Sequence, residues 1–313
     1  MPLPTTLERV LGTIDFAKDK LKSLENGLPR NYEYYELRLR LKADISIAAG
    51  GATPFTEGFW KLLKRVEVVA NGNSIIKSID GAGLGRMAQF LDEKLPNYSA
   101  VPNAEGANQS LTAYLPVHFA MPRSVKPIDS LLNAPLFSSL DLNILWGSEN
   151  DVYSANAANA TINSADVAIE SLEETSEKVL GGSVHKVHML EKEVTASTSE
   201  FSIPLNGVTR YRGFLINADV DGNPNNSVIN SVQLKDGQNI FRHRKWAHLQ
   251  DNNLSVHKLA AIPAGWAFLD MCPDGFMSQS LNSAGMNDLK LLFDVTKQGG
   301  TNKIRVYPVE LIV

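Results

Sequence analysis

Cysteine is nearly absent: Cys272 is the only one among 313 residues. No intrachain disulfide can form, and a metal cluster built on thiolates is excluded. Long apolar runs are missing too. The most apolar stretch, Leu259 to Cys272, is too short to span a bilayer and contains Pro263. Charge of either sign is not in excess; a net charge of -4 gives no general attraction to polyphosphate, so no specific nucleic-acid partner is expected. The opening Met1-Pro2-Leu3-Pro4-Thr5-Thr6 lacks a basic segment followed by an apolar core, and synthesis and assembly in the cytoplasm are expected. Catalytic signatures are lacking as well. There is no Gly-x-Ser-x-Gly elbow, and Gly81, Gly83 and Gly85 follow a hairpin instead of opening a strand-helix dinucleotide site. No enzyme, cofactor or metal is expected.

What is present is strand grammar. From Tyr35 to Ile47 apolar residues alternate with charged and polar ones, the signature of a strand buried on one side. Shorter strands are predicted at Val66–Val69, Ile75–Ile79, Leu115–Phe119, Leu140–Leu145 and Val167–Glu170. After Leu180-Gly181-Gly182-Ser183 the pattern resumes at Val184–Val194, Phe201–Leu205, Phe214–Ile216, Val232–Leu234, Leu289–Phe293 and Ile304–Val313. Many short strands separated by Gly, Asn, Pro and Ser indicate sandwiches or barrels. The length exceeds what one core organises, so two domains are expected, at 31–178 and 179–313, behind an N-terminal arm at 1–30.

That arm reads as an amphipathic helix from Leu7 to Glu25. Leu7, Val10, Leu11, Ile14, Leu21 and Leu24 recur at helical spacing, Thr5 with Glu8 fits a capping box, and Asn26-Gly27 followed by Pro29 supplies a stop. Its apolar stripe calls for cover from the adjacent domain, a neighbouring subunit or a membrane surface.

The two halves also repeat. Val66-Glu67-Val68 leading to Asn71-Gly72 matches Val232-Gln233-Leu234 leading to Asp236-Gly237, two hairpins of the same kind. A short helix at Arg86–Asp92 parallels Lys245–Asp251; Met121-Pro122 parallels Cys272-Pro273; Leu140-Asp141-Leu142 parallels Leu289-Lys290-Leu291; and Val167 is set against Val306. The separations fall steadily along the chain, as expected of one ancestral domain present twice with shorter loops in the second copy.

Two tandem sandwiches after an N-terminal helix, each with a helix in the middle of its strands, together with the stretch Ile128-Asp129-Ser130-Leu131-Leu132-Asn133-Ala134-Pro135-Leu136-Phe137-Ser138-Ser139-Leu140-Asp141-Leu142-Asn143-Ile144-Leu145-Trp146-Gly147, resemble the double jelly-roll major capsid proteins of icosahedral internal-membrane bacteriophages. The chain is most similar to compact members such as those of small lytic flavobacterial phages. The resemblance implies an all-β fold of two eight-stranded jelly rolls. It further implies a homotrimer forming a pseudo-hexameric tile, located in the virion. The implied partners are neighbouring capsomers, minor capsid and vertex proteins, and an internal lipid membrane reached through the N-terminal helix.

Four local features invite a chemical reading. His185 and His188 point to opposite faces of one strand, which argues against a shared metal. Phe241-Arg242-His243-Arg244-Lys245-Trp246 is the most basic and aromatic stretch; contact with nucleic acid or an anionic lipid head group is the alternative, but in a chain that is acidic overall it is read as a solvated loop or subunit contact. Asp219-Val220-Asp221-Gly222-Asn223 opens like a calcium loop, but Pro224 follows and the terminal Glu is missing. The tryptophans sit in apolar strands and helices, which disfavours the alternative of a jelly-roll lectin or a spike binding host glycans.

Overall fold

The computed structural model describes residues 6–125, 130–175 and 184–312. Contacts divide the chain into two units, 1–186 and 187–312. The boundary expected between 178 and 179 lies outside the described residues. The first unit carries β1 (Thr6–Asp15), β2 (Leu21–Ser23), β3 (Glu33–Ile47), β4 (Thr53–Pro54), α1 (Gly58–Lys61), β5 (Leu63–Ala70), β6 (Ser74–Ile79) and α2 (Gly81–Leu91). It continues with β7 (Gly106–His118), β8 (Leu132–Asn133), β9 (Leu140–Trp146), α3 (Glu149–Val152), β10 (Tyr153–Ala155) and β11 (Ala160–Glu174). One sheet runs β1-β11-β3-β7, with β8 against the start of β3; the facing strands run β2-β9-β5-β6. Strict alternation explains β3, whose Leu37, Leu39, Leu41, Ala43, Ile45 and Ile47 are all buried.

The division falls on β12 (Val184–His188). Then come β13 (Leu190–Glu193), β14 (Thr198–Pro204), β15 (Arg210–Val220), β16 (Asn223–Pro224), β17 (Ile229–Asp236), β18 (Asn239–Lys245) and α4 (Trp246–Val256). The last strands are β19 (Trp266–Asp270), β20 (Leu281–Asn282), β21 (Leu289–Val295) and β22 (Asn302–Ile312). Here β13-β22-β15-β19 forms one sheet, with β20 on the start of β15, and β14-β21-β17-β18 forms the other. Phe201, Phe214, Ile216, Val232, Leu234, Leu291, Phe293 and Ile304 build its core.

The topologies match strand for strand: each unit is an eight-stranded jelly roll with a helix, α2 or α4, after the fifth of its eight strands. A buried tyrosine fixes the register in both. Tyr34 donates to the Pro29 carbonyl at 2.6 Å and Tyr211 to the Asn206 carbonyl at 2.8 Å, each reaching back five residues. Tyr34 lies opposite buried Glu173 and Tyr211 opposite buried Glu310, and in each case the next residue, Tyr35 or Arg212, is bulged out. Leu132-Asn133 then covers Tyr34 as Leu281-Asn282 covers Tyr211. Counted from these anchors, Val167 corresponds to Ile304 and not to Val306. The sequence alignment had slipped by two residues, which an alternating strand tolerates because the apolar face is kept.

The N-terminal helix does not exist; residues 7–25 form β1, a turn and β2, and belong to the first unit. β1 pairs antiparallel with β11 from Thr6↔Glu174 to Asp15↔Asp166, with a bulge between Val10 and Gly12. Gly12 has φ of 146°, which a side chain would strain. Before the bulge Leu7 faces inward, the bulged Leu11 is half-buried, and after it parity flips so that Ile14 is in the core. Spacings of four and three are thus produced by a bulged strand as well as by a helix. β2 pairs with β9.

The largest length differences between the units gather in one place. Residues 48–62 against 221–228, 92–105 against 257–265, and 147–159 against 296–301 are the connections that lengthen most in the first unit. The three meet: β4 pairs with β10, the Phe55 amide donates to Val152 O at 3.0 Å, and the Ala52 amide to Asn103 O at 3.1 Å. Trp60 packs against Tyr98 with ring centroids 4.7 Å apart, closing this extra lobe.

Candidate functional site

The six residues expected on an apolar helix face do not form a common surface. Ile14 and Leu24 are in the core, Leu7 and Leu11 are half-buried, and Val10 and Leu21 are exposed on separate strands. Without the helix, the lipid contact expected of it has no element to carry it.

The chemical candidates are taken up by structure. His185 is buried, with Nδ1 3.2 Å from Lys77 Nζ and 3.1 Å from the His118 carbonyl; His188 faces Glu310 at 3.5 Å. Asp219 accepts from the Gly222 amide and pairs with Arg305, while Asp221 accepts from the Thr301 amide, so both carboxylates serve turns and an ion pair. Among the described residues no three of His, Cys, Asp and Glu gather to hold a metal. Gly81, Gly83 and Gly85 begin α2, where Asp80 caps the helix by accepting from the Gly83 amide at 2.7 Å. A Cβ on Gly85 would come within 2.7 Å of the Trp60 ring, so this glycine lets helix and tryptophan close up.

One polar cluster went unnoticed in the sequence. His118 at the end of β7 lies between Asp92, 2.9 Å from Nε2, and Glu36, 3.3 Å from Nδ1. Burial opposes its charge, but the two carboxylates outweigh that and raise its pKa to about 9. The cluster ties α2 to β3 and β7. Beside it opens a groove of about 640 Å³ lined by Leu95, Tyr98, Tyr114 and Pro116. Lys77 is the opposite case, a lysine whose pKa burial pushes well below its usual range.

The basic run is neither a loop nor a helix: Arg242, His243, Arg244 and Lys245 lie exposed on β18, an edge strand. Among the described residues no carboxylate pairs with Arg242, Arg244 or Lys245. Surfaces, then, are what this molecule offers.

Residues 184–311 match the family model of the viral coat protein P2 C-terminal domain. No curated protein sequence matches. Among solved structures, the MCP of the Sulfolobus Turreted Icosahedral Virus superposes with a TM-score of 0.80 at 18% identity, over 98% of this chain and 96% of its own. The major capsid protein P2 from Bacteriophage PM2 gives 0.63 at 15% identity, covering 97% of both chains. The Faustovirus major capsid protein gives 0.65 at 9% identity, covering 99% of this chain and 90% of that one. These relatives are capsid and coat proteins and not enzymes, and the fold they share with this chain over its whole length is the double jelly roll.

Proposed function

We propose that the chain is the major capsid protein of an icosahedral virus, assembling as a homotrimer whose six jelly rolls make a pseudo-hexameric tile of the virion. The observation that carries this reading is the duplication: two units repeat one topology and one tyrosine-anchored register, in the double jelly-roll architecture of capsid proteins. A chain with two similar units acquires sixfold-like edges from threefold symmetry, so one kind of contact can tile a curved lattice. Each subunit should bury well over the roughly 1,000 Å² expected of a specific contact. Neighbouring capsomers are its first partners, with minor capsid and vertex proteins at the shell's special positions.

Light scattering on the purified chain is expected to give three copies, and electron micrographs to show shells or tiles. A stable monomer at micromolar concentration overturns the reading. The lectin or spike alternative is not favoured, since the relatives matched over the full length are capsid proteins.

A further inference from the structure

The repeat relates two sheet edges that have met different fates. In the first unit Val68 pairs with Lys77 and Val69 with Ile75; in the second Leu234 pairs with Arg242 and Lys235 with Ile240, with the bulge at the same place. Lys77 and Arg242 therefore occupy one structural position, and Ile79 and Arg244, opposite Val66 and Val232, occupy another. Their rows are otherwise core: Leu142 and Val68 beside Lys77, and Ile203, Leu291 and Leu234 beside Arg242, are all buried. Cross-strand partners share a face, so these edge side chains start out toward the core side.

In the first unit both are buried. The segment Val184–Lys186 borders β6 and sets His185 against Lys77. In the second unit Arg242 and Arg244 are exposed, and Ile240 is 54% exposed on the same bare edge.

The covering segment has a counterpart as well. Leu190 pairs with Val306, itself opposite Ile216; Gly12 pairs with Ile169, itself opposite Leu39. Ile216 and Leu39 are equivalent counting from Tyr211 and Tyr34. Val184–His188 followed by β13 is thus the second copy of β1, with Met189 and Leu11 as the interrupting residues, and His185 corresponds to Leu7.

We propose that β18 of one chain is covered by Thr6–Val10 of a second copy, as β6 is covered by Val184–Lys186. This rests on the reading that the chain assembles with itself. β1 suits the role. Among the described residues it pairs on one side only, with β11, and its Val10 is 77% exposed beside Glu170. Leu7, the counterpart of His185, would face Arg242 from the core side. Arginines can be covered only where carboxylates meet them; exposed Glu8, shared with Arg38, and Glu170 on the adjoining strand β11 stand on the outer face, toward which the two guanidiniums turn. Joining a β1 edge to a β18 edge is a head-to-tail contact, which closes into a ring under threefold symmetry, and it leaves neither strand open to stray pairing.

The test mixes two full-length variants, Leu7→Cys and Arg242→Cys, during assembly and treats the product with a short bismaleimide; native Cys272 is buried and stays out of the reaction. A dimer-sized band from the mixture, absent from either variant alone, is expected. A second measurement is the charge reversal Arg242→Glu with Arg244→Glu, expected to raise the dissociation constant of the oligomer about tenfold or more. An intact oligomer that neither crosslinks nor responds to the reversal overturns this pairing and leaves the shell reading standing. An unmodified chain that stays monomeric overturns both.

Discussion

The second unit is the jelly roll nearly bare, whereas the first is the same jelly roll carrying a lobe. The loops around α1, α3 and the β4–β10 pair, clasped by Trp60 and Tyr98, have no equivalent in the second unit, where the corresponding connections are shorter. The order of the strands, the tyrosine-anchored bulge and the bulges of the β5–β6 and β17–β18 hairpins, by contrast, agree to the residue. Divergence after duplication has entered through connections, which solvent tolerates, and through the chemistry of edge positions, while strand register was held by the burial of one face.

The largest break in this comparison should come from removing residues 1–27. That deletes β1 and β2, an outer strand of each sheet in the first unit. We expect the first unit to lose cooperative melting and become protease-sensitive while the second keeps its folded core; circular dichroism with limited proteolysis checks this, and undiminished first-unit protection contradicts it. Next is Trp60→Ala, which empties a fully buried site at the root of the lobe and should cost about 3–5 kcal/mol in denaturant titration, confined to the first unit.

A third effect separates the units by pH. His118, with no counterpart cluster in the second unit among the described residues, has a folded pKa raised from 6.5 to about 9. Its contribution is complete below the unfolded value and is lost as pH rises through 9, on the order of 1–3 kcal/mol. Melting curves of His118→Gln should be flatter across that window than those of the unmodified chain; identical curves would remove the cluster from the account. The smallest effect contrasts one position in its two settings. Lys77 is buried with a depressed pKa, so the unfolded chain binds the extra proton and stability rises with pH toward the ordinary lysine range. Lys77→Met should stabilise by about 1–2 kcal/mol at neutral pH, whereas Arg242→Met in the monomer should stay within about 0.5 kcal/mol.

Much of this was legible. β3 could be read residue by residue because one face is core and the other solvent, and the hairpins at Asn71-Gly72 and Asp236-Gly237 carried their own turn chemistry. The failure at residues 7–25 has a definite cause: a bulge at Leu11 converts period two into spacings that imitate a helix turn. Leu132-Asn133 and Leu281-Asn282 stand as far apart as Leu140 and Leu289, a signal present in the sequence and passed over. Glu36, Asp92 and His118 come from three elements, so nothing local could have joined them. The basic run read as loop because its strand lacks the apolar half of the alternation, and it lacks it because arginine stands where a covered edge carries isoleucine.

The two anchoring tyrosines carry a further consequence. An exposed tyrosine ionises near pH 10, but Tyr34 and Tyr211 are held well above that, first by burial and then by the facing Glu173 or Glu310. While its jelly roll is folded, each phenol stays protonated well past the ordinary tyrosine range. Each unit therefore contains a built-in optical reporter, read by difference against the other six tyrosines: in alkaline solution the phenolate absorbance lost on Tyr34→Phe records the opening of the first unit, and that lost on Tyr211→Phe the opening of the second.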